Sequence, residues 1–184
     1  MAILASHAAL SAAGMSRASH RRLGRLAWLL VASLVMGGGA WAMHFIGMLA
    51  LRLPCRVSYD AGITLLSILP GIFASAVALQ LIGRKRVSNR RLFIGSLLLG
   101  LGIGVMHYTG MAALRLDGLV RYDPFLFVAS ILVAVVLAWV ALSIHFRLRA
   151  RAQIERRWLH ISSALVLGGA VSSMHYTAMA AAHF

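Results

Sequence analysis

Five stretches of this chain run for more than twenty residues without a charged side chain: 26–51, 61–83, 92–114, 124–146 and 158–184. Clusters of arginine separate them. A stretch of 23 residues wound as an α-helix is about 35 Å long, enough to cross a hydrocarbon core of about 30 Å. Residues 1–16 are also apolar but shorter, and they lack the basic n-region of a signal peptide. The expectation is an all-α, polytopic transmembrane helix bundle with five full spans plus one truncated N-terminal span, held in the lipid bilayer.

Charge decides orientation and excludes one class of partner. The chain has 18 basic and four acidic residues, a net charge of +14, which in a soluble protein would point to nucleic acid. Here 14 of the 18 lie in alternate loops, at 17–25, 84–91 and 147–157. The intervening loops hold Arg52, Arg56, Arg115 and Arg121, with Asp60, Asp117 and Asp123. That is the positive-inside pattern, so the arginine-rich loops are expected in the cytoplasm and nucleic acid is not expected as a partner. Cys55, the single cysteine, excludes an internal disulfide or a cysteine cage.

A motif recurs within the spans. Met106-His107-Tyr108-Thr109-Gly110-Met111 returns as Met174-His175-Tyr176-Thr177-Ala178-Met179, and more loosely as Met43-His44-Phe45-Ile46-Gly47-Met48. Six of the nine methionines and three of the eight histidines sit in these copies, so the shared chemistry is one imidazole, two thioethers and a small residue. Similarity continues beyond the motif: Arg52 with Tyr59-Asp60 matches Arg115 with Tyr122-Asp123. The chain reads as one domain, 1–184, with internal two-helix repeats. The motif units are about 23–91, 92–157 and 158–184. Each is an outward motif helix, an external loop and an inward helix, the third ending after its motif helix. Pro70-Gly71 predicts a kink in the second long stretch, and Asp60 and Asp123 read as helix caps.

Helix geometry sorts the motif's side chains. At 100° per residue, His107 and Met111 lie about 40° apart on one face, with Gly110 beside them and Met106 at the edge. Thr109 points away, toward a preceding carbonyl, and Tyr108 lies to one side, its hydroxyl reaching for the headgroup region. His44, His107 and His175 each stand eight residues before Arg52, Arg115 or His183. They therefore share one depth, about 12 Å inside the outer boundary. Imidazole and thioether without carboxylate form a soft donor set that suits copper, above all Cu(I). The candidate metal ligands are His44, His107, His175, Met43, Met48, Met106, Met111, Met174 and Met179. His183 reads as a rim residue, and His145 and His160 as interfacial; His7 and Cys55 receive no role.

With the two literal Met-His-Tyr-Thr copies (106–109 and 174–177), the variant at 43–46 with Trp41 before it, and the arginine-rich loops, the sequence resembles the MHYT family of bacterial membrane sensors. The resemblance covers essentially the whole chain. It implies a multi-pass sensory domain of the bacterial cytoplasmic (inner) membrane that holds one or two copper ions near the outer face. The signals it implies are diatomic gases: O2, CO or NO. It also implies a signalling output domain or partner of the cyclic-di-GMP type on the cytoplasmic side. By the topology above Phe184 lies outside, so an output reached through the C-terminus needs another span. Two other readings are a haem ligated by two of the histidines and a copper-handling transporter. A transporter calls for ligands across the whole membrane, and the inner halves of the spans show no matching set. No intramembrane acid, base and nucleophile accompany the histidines, so an enzyme is not expected.

Overall fold

A segment surrounded by hydrocarbon must satisfy its own backbone hydrogen bonds, and the α-helix does so internally. The computed structural model describes residues 2–19, 21–50, 56–84, 87–116, 120–150 and 156–183. The helices are α1 (Ala2–Ala18), α2 (Arg22–Leu49), α3 (Ala61–Leu66), α4 (Ile68–Gly83), α5 (Asn89–Ala112), α6 (Pro124–Ala150) and α7 (Arg156–Ala180). Among the described residues, four segments are long and apolar enough to cross a membrane: Arg22–Leu49, Ala61–Gly83, Asn89–Ala112 and Pro124–Arg149. The fifth expected span, α7, has the length at 25 residues. Its Ser162, Ser163, Ser172, Ser173 and His175 dilute its hydropathy, and it stands outside those four.

The kink expected at Pro70-Gly71 appears one turn earlier, as a break at Ser67 between α3 and α4. Proline at position 70 has no N–H to offer the Leu66 carbonyl and crowds it, so the helix parts just upstream of the ring. Side chains satisfy the loosened turn. Ser67 Oγ donates to the Thr64 carbonyl at 2.7 Å, and Trp41 Nε1 donates to the same carbonyl at 3.1 Å and to Ser67 Oγ at 3.0 Å.

The bundle is a closed ring in which α1, α2, α4, α5, α6 and α7 each pack on the next, and α7 returns to α1. The motif helices α2, α5 and α7 alternate with the others around the ring and also touch one another across its centre. Three glycines, each seven residues before a motif histidine, let each motif helix pack closely on a neighbour in the ring. A Cβ on Gly37 would stand 2.6 Å from the Ile72 nitrogen, on Gly100 2.7 Å from the Val135 nitrogen, and on Gly168 2.8 Å from the Ile3 nitrogen. Thus α1 lies on α7 as α4 lies on α2 and α6 on α5. The helix expected as a truncated leading span takes the place of the third unit's returning helix.

Among the described residues, the motif ends of the helices carry four short strands that sequence reading did not anticipate: β1 (Val57–Tyr59), β2 (Leu114–Leu116), β3 (Arg121–Tyr122) and β4 (Ala182–His183). β1 pairs antiparallel with β2, setting Ser58 opposite Arg115, and β3 pairs with β4, setting Arg121 opposite His183. The two pairings are equivalent under the repeat. Asp60 and Asp123 cap as expected, accepting from the N–H of Ile63 at 3.0 Å and of Leu126 at 2.9 Å. The Ile63 N–H, and after it the Arg115 guanidinium at 3.3 Å, hold the Asp60 carboxyl below the usual carboxylate range. At the other end, Arg149 donates to the carbonyls of Ile82 at 2.8 Å and Arg84 at 3.1 Å, satisfying groups that the end of α4 leaves open.

Candidate metal centre

The alternation of α2, α5 and α7 brings the three motif histidines to the ring's axis. His44, His107 and His175 are 1%, 1% and 3% exposed, and one ring nitrogen from each lies within 4.8 Å of those of the other two. Ring centroids are 4.6 Å apart for His44 and His107, 5.1 Å for His44 and His175, and 5.2 Å for His107 and His175. The Nδ1 atoms point inward: His175 Nδ1 is 3.2 Å from that of His44 and 3.3 Å from that of His107. The outer nitrogens abut the small residues of neighbouring motifs. A Cβ on Gly110 would meet His44 Nε2 at 2.5 Å, and one on Gly47 would meet His175 Nε2 at 2.6 Å. The small residue of each of these motifs is therefore the seat of another helix's imidazole.

This trio is poorly satisfied by itself. A neutral imidazole offers one N–H and one lone pair. Three Nδ1 atoms at a common point can form one good hydrogen bond, which leaves the third nitrogen facing like. Nε2 of His44 and of His107 are also buried without a hydrogen-bond partner among the described residues. An electrophile at the common point resolves the conflict. Two nitrogens bound to one ion at about 2.0–2.1 Å and a tetrahedral angle lie about 3.3–3.4 Å apart, close to the spacing found. The residues present therefore fit a metal ion bound through imidazole.

The methionines divide into two sets. Met48, Met111 and Met179 gather with Leu114, Tyr59, Tyr122 and Ala182 in a cluster beneath the strands, one helical turn outward of the histidines. Met106 and Met174 are buried in the main core, and Met43 packs against it. Met106 lies on α4, where a Cβ on Gly71 would stand 3.3 Å from its Cγ. The two thioethers of each motif are five residues apart, about 140° around the helix, so only one of each pair shares the histidine's face.

The other histidines lie elsewhere. His183 sits exposed on β4, in keeping with a rim position, and His7 is exposed on α1. His145, expected at the interface, is instead buried at 3% with Nδ1 2.8 Å from Ser163 Oγ on α7. Its ring faces across the bundle from α6, a direction that charge clusters do not reveal. The side chain of His160 and all of Cys55 fall outside the described residues. Thr177, the counterpart of Thr109 in the third copy, donates to the Ser173 carbonyl at 2.9 Å. Tyr108 does not reach for headgroups: its hydroxyl is 2.7 Å from Ser130 Oγ. Ser130 donates to the Phe127 carbonyl at 2.8 Å, so Tyr108 is the donor of the pair. The equivalent serine in the first unit, Ser67, receives Trp41 Nε1 instead, because Phe45 has no hydroxyl. The repeat offset carries Ser67 onto Ser130 and was the signal available in the sequence. Tyr108→Phe should cost about 1 kcal/mol for the lost bond, read as a lower unfolding temperature. It should leave metal binding unchanged, since the hydroxyl points at α6.

A ring of apolar helices, four of them of membrane-spanning length, closed around a buried imidazole trio with no buried carboxylate among the described residues, defines a multi-pass membrane protein with a candidate metal centre. The chain belongs to the MHYT family, described as a bacterial signalling protein N-terminal repeat, whose profile matches residues 37–95 and 100–156. It is 47% identical over 184 residues to the bifunctional diguanylate cyclase/cyclic di-GMP phosphodiesterase MucR of Pseudomonas aeruginosa, covering all of this chain and 27% of that protein. It is 39% identical over 163 residues to the cyclic di-GMP phosphodiesterase NbdA of the same organism, covering 89% of this chain and 20% of that one. It is 37% identical over 158 residues to the signaling protein YkoW of Bacillus subtilis, covering 85% of this chain and 20% of the relative. The chain thus spans about a quarter or less of the relatives it matches. No solved structure matches it.

Proposed function

We propose that this chain is a single sensory domain of the bacterial inner membrane that holds copper near the outer face and responds to a diatomic gas (O2, CO or NO) or to redox state. The convergence of three imidazoles at matching positions of three repeats, with His175 Nδ1 3.2 Å from that of His44 and 3.3 Å from that of His107, carries this reading. His44, His107 and His175 are the primary ligands, and the thioethers of Met48, Met111 and Met179, clustered one turn outward, are the further ligands. Copper held there would supply an electron-rich centre for binding a diatomic gas. The donor set is wholly neutral, and the cost of burying a charge rises with its square, which favours Cu(I) over a divalent ion. Imidazole rings in mutual contact leave no plane for a porphyrin between them, which disfavours haem. Two of the relatives carry cyclic-di-GMP activities in their names, which supports an output of that kind on the cytoplasmic side.

The test is copper per protein after purification in detergent under reducing conditions, for wild type, the His44/His107/His175→Ala triple variant and Met111→Leu. Wild type should bind about one copper and the triple variant none. Met111→Leu keeps the packing, at a cost usually below about 1.5 kcal/mol, and should weaken binding without abolishing it. Equal copper in wild type and the triple variant rejects the reading. Labelling of Cys55 from outside, and its absence at Ser88→Cys, tests the orientation.

A further inference from the structure

A groove of about 800 Å3 lies between α5 and α6, at their arginine-rich ends, opposite the ends that carry the motif histidines. Phe93, Val136 and Trp139 line it and are exposed on the outside of the ring. Both helices are among the segments of membrane-spanning length, so these walls face hydrocarbon, and whatever fills the space comes from the bilayer. The one charged residue of its lining, Arg147, and the one amide, Asn89, both stand at the arginine-rich end, and none of its lining residues is acidic. From Val136 to Arg147 the wall rises about 16 Å, half of a hydrocarbon core of about 30 Å. That is the depth of one leaflet. Ser143 lines the same wall one turn deeper than Arg147.

We propose that this groove is a binding site for one anionic phospholipid from the leaflet at the arginine-rich ends. One acyl chain lies along Phe93, Val136 and Trp139. The phosphate accepts hydrogen bonds from Arg147 and Asn89. A zwitterionic lipid fills the same apolar space but presents a compensating cation beside Arg147, so the site discriminates by headgroup charge. The proposal is independent of copper.

The test is native mass spectrometry of the protein taken from vesicles of equal phosphatidylglycerol and phosphatidylcholine, counting the lipids retained. Wild type should keep about one phosphatidylglycerol in preference to phosphatidylcholine. Arg147→Gln should lower that preference about fivefold, as expected for one arginine at an anionic surface. Val136→Trp, which fills the groove, should lower retention of both lipids. Arg90→Gln removes the same charge beside Asn89 but outside the groove and should behave as wild type. Equal retention of the two lipids by wild type overturns the proposal without any variant. So does a loss in Arg90→Gln matching that in Arg147→Gln, or wild-type retention in both Arg147→Gln and Val136→Trp.

Discussion

His107→Leu should abolish copper binding and, at the same time, make the metal-free protein more stable. The two effects share one cause. Without metal, the trio buries nitrogens that cannot all be paired, including Nε2 of His44 and of His107. A buried polar group left unsatisfied costs about 1–3 kcal/mol. Leucine removes one such group, and a swap that keeps the volume costs less than about 1.5 kcal/mol. The net gain is about 1 kcal/mol, or about 2–4 °C in unfolding temperature for a chain of this size. A histidine kept only for packing and hydrogen bonding would behave oppositely, since its loss would strand its partners. Thermal unfolding of metal-free wild type and variant, with copper per protein measured alongside, separates the two cases. The stability that wild type lacks without metal should return on loading.

The second large effect concerns the closure of the ring. Leucine at Gly100 would force side-chain atoms into the backbone of α6, and at Gly168 into the backbone of α1, where even a Cβ stands within 2.6–2.8 Å of main-chain atoms. Overpacking of this kind costs about 1–3 kcal/mol or more, and backbone cannot yield as a flexible side chain can. A Cβ on Gly38 or Gly169 would meet nothing within 4 Å, so leucine there should be neutral or stabilising by up to about 1 kcal/mol, because glycine is a poor helix residue. The informative comparison is Gly168→Leu with Gly100→Leu, by unfolding temperature and folded yield. Equal damage is expected if α1 completes the third unit. A tolerated Gly168→Leu beside a damaging Gly100→Leu would show that α1 does not.

Much of this was legible in the sequence because it followed from single-helix geometry. The eight-residue offset of His44, His107 and His175 from the rim placed them at one depth, and the structure brings them together there. The caps at Asp60 and Asp123 follow from residue chemistry alone. What stayed hidden depends on which helix neighbours which. Periodicity assigns a side chain to a face but not to a partner, so burial of His145 against Ser163 on α7 could not be read. The same holds for the contact of Met106 with Gly71 on α4. The strands are two or three residues long and pair between units, too short and too distant in sequence for alternation to signal them. The role of α1 was hidden differently: its contact with Gly168 joins the two ends of the chain, where no local pattern reaches.

The most direct measurement is X-ray absorption at the copper edge of the loaded wild-type protein. Three imidazole nitrogens at about 2 Å, with the multiple scattering of the rings, are expected, together with any sulfur shell from Met48, Met111 or Met179. A copper shell of sulfur or oxygen without imidazole scattering would contradict the claim that His44, His107 and His175 hold the metal.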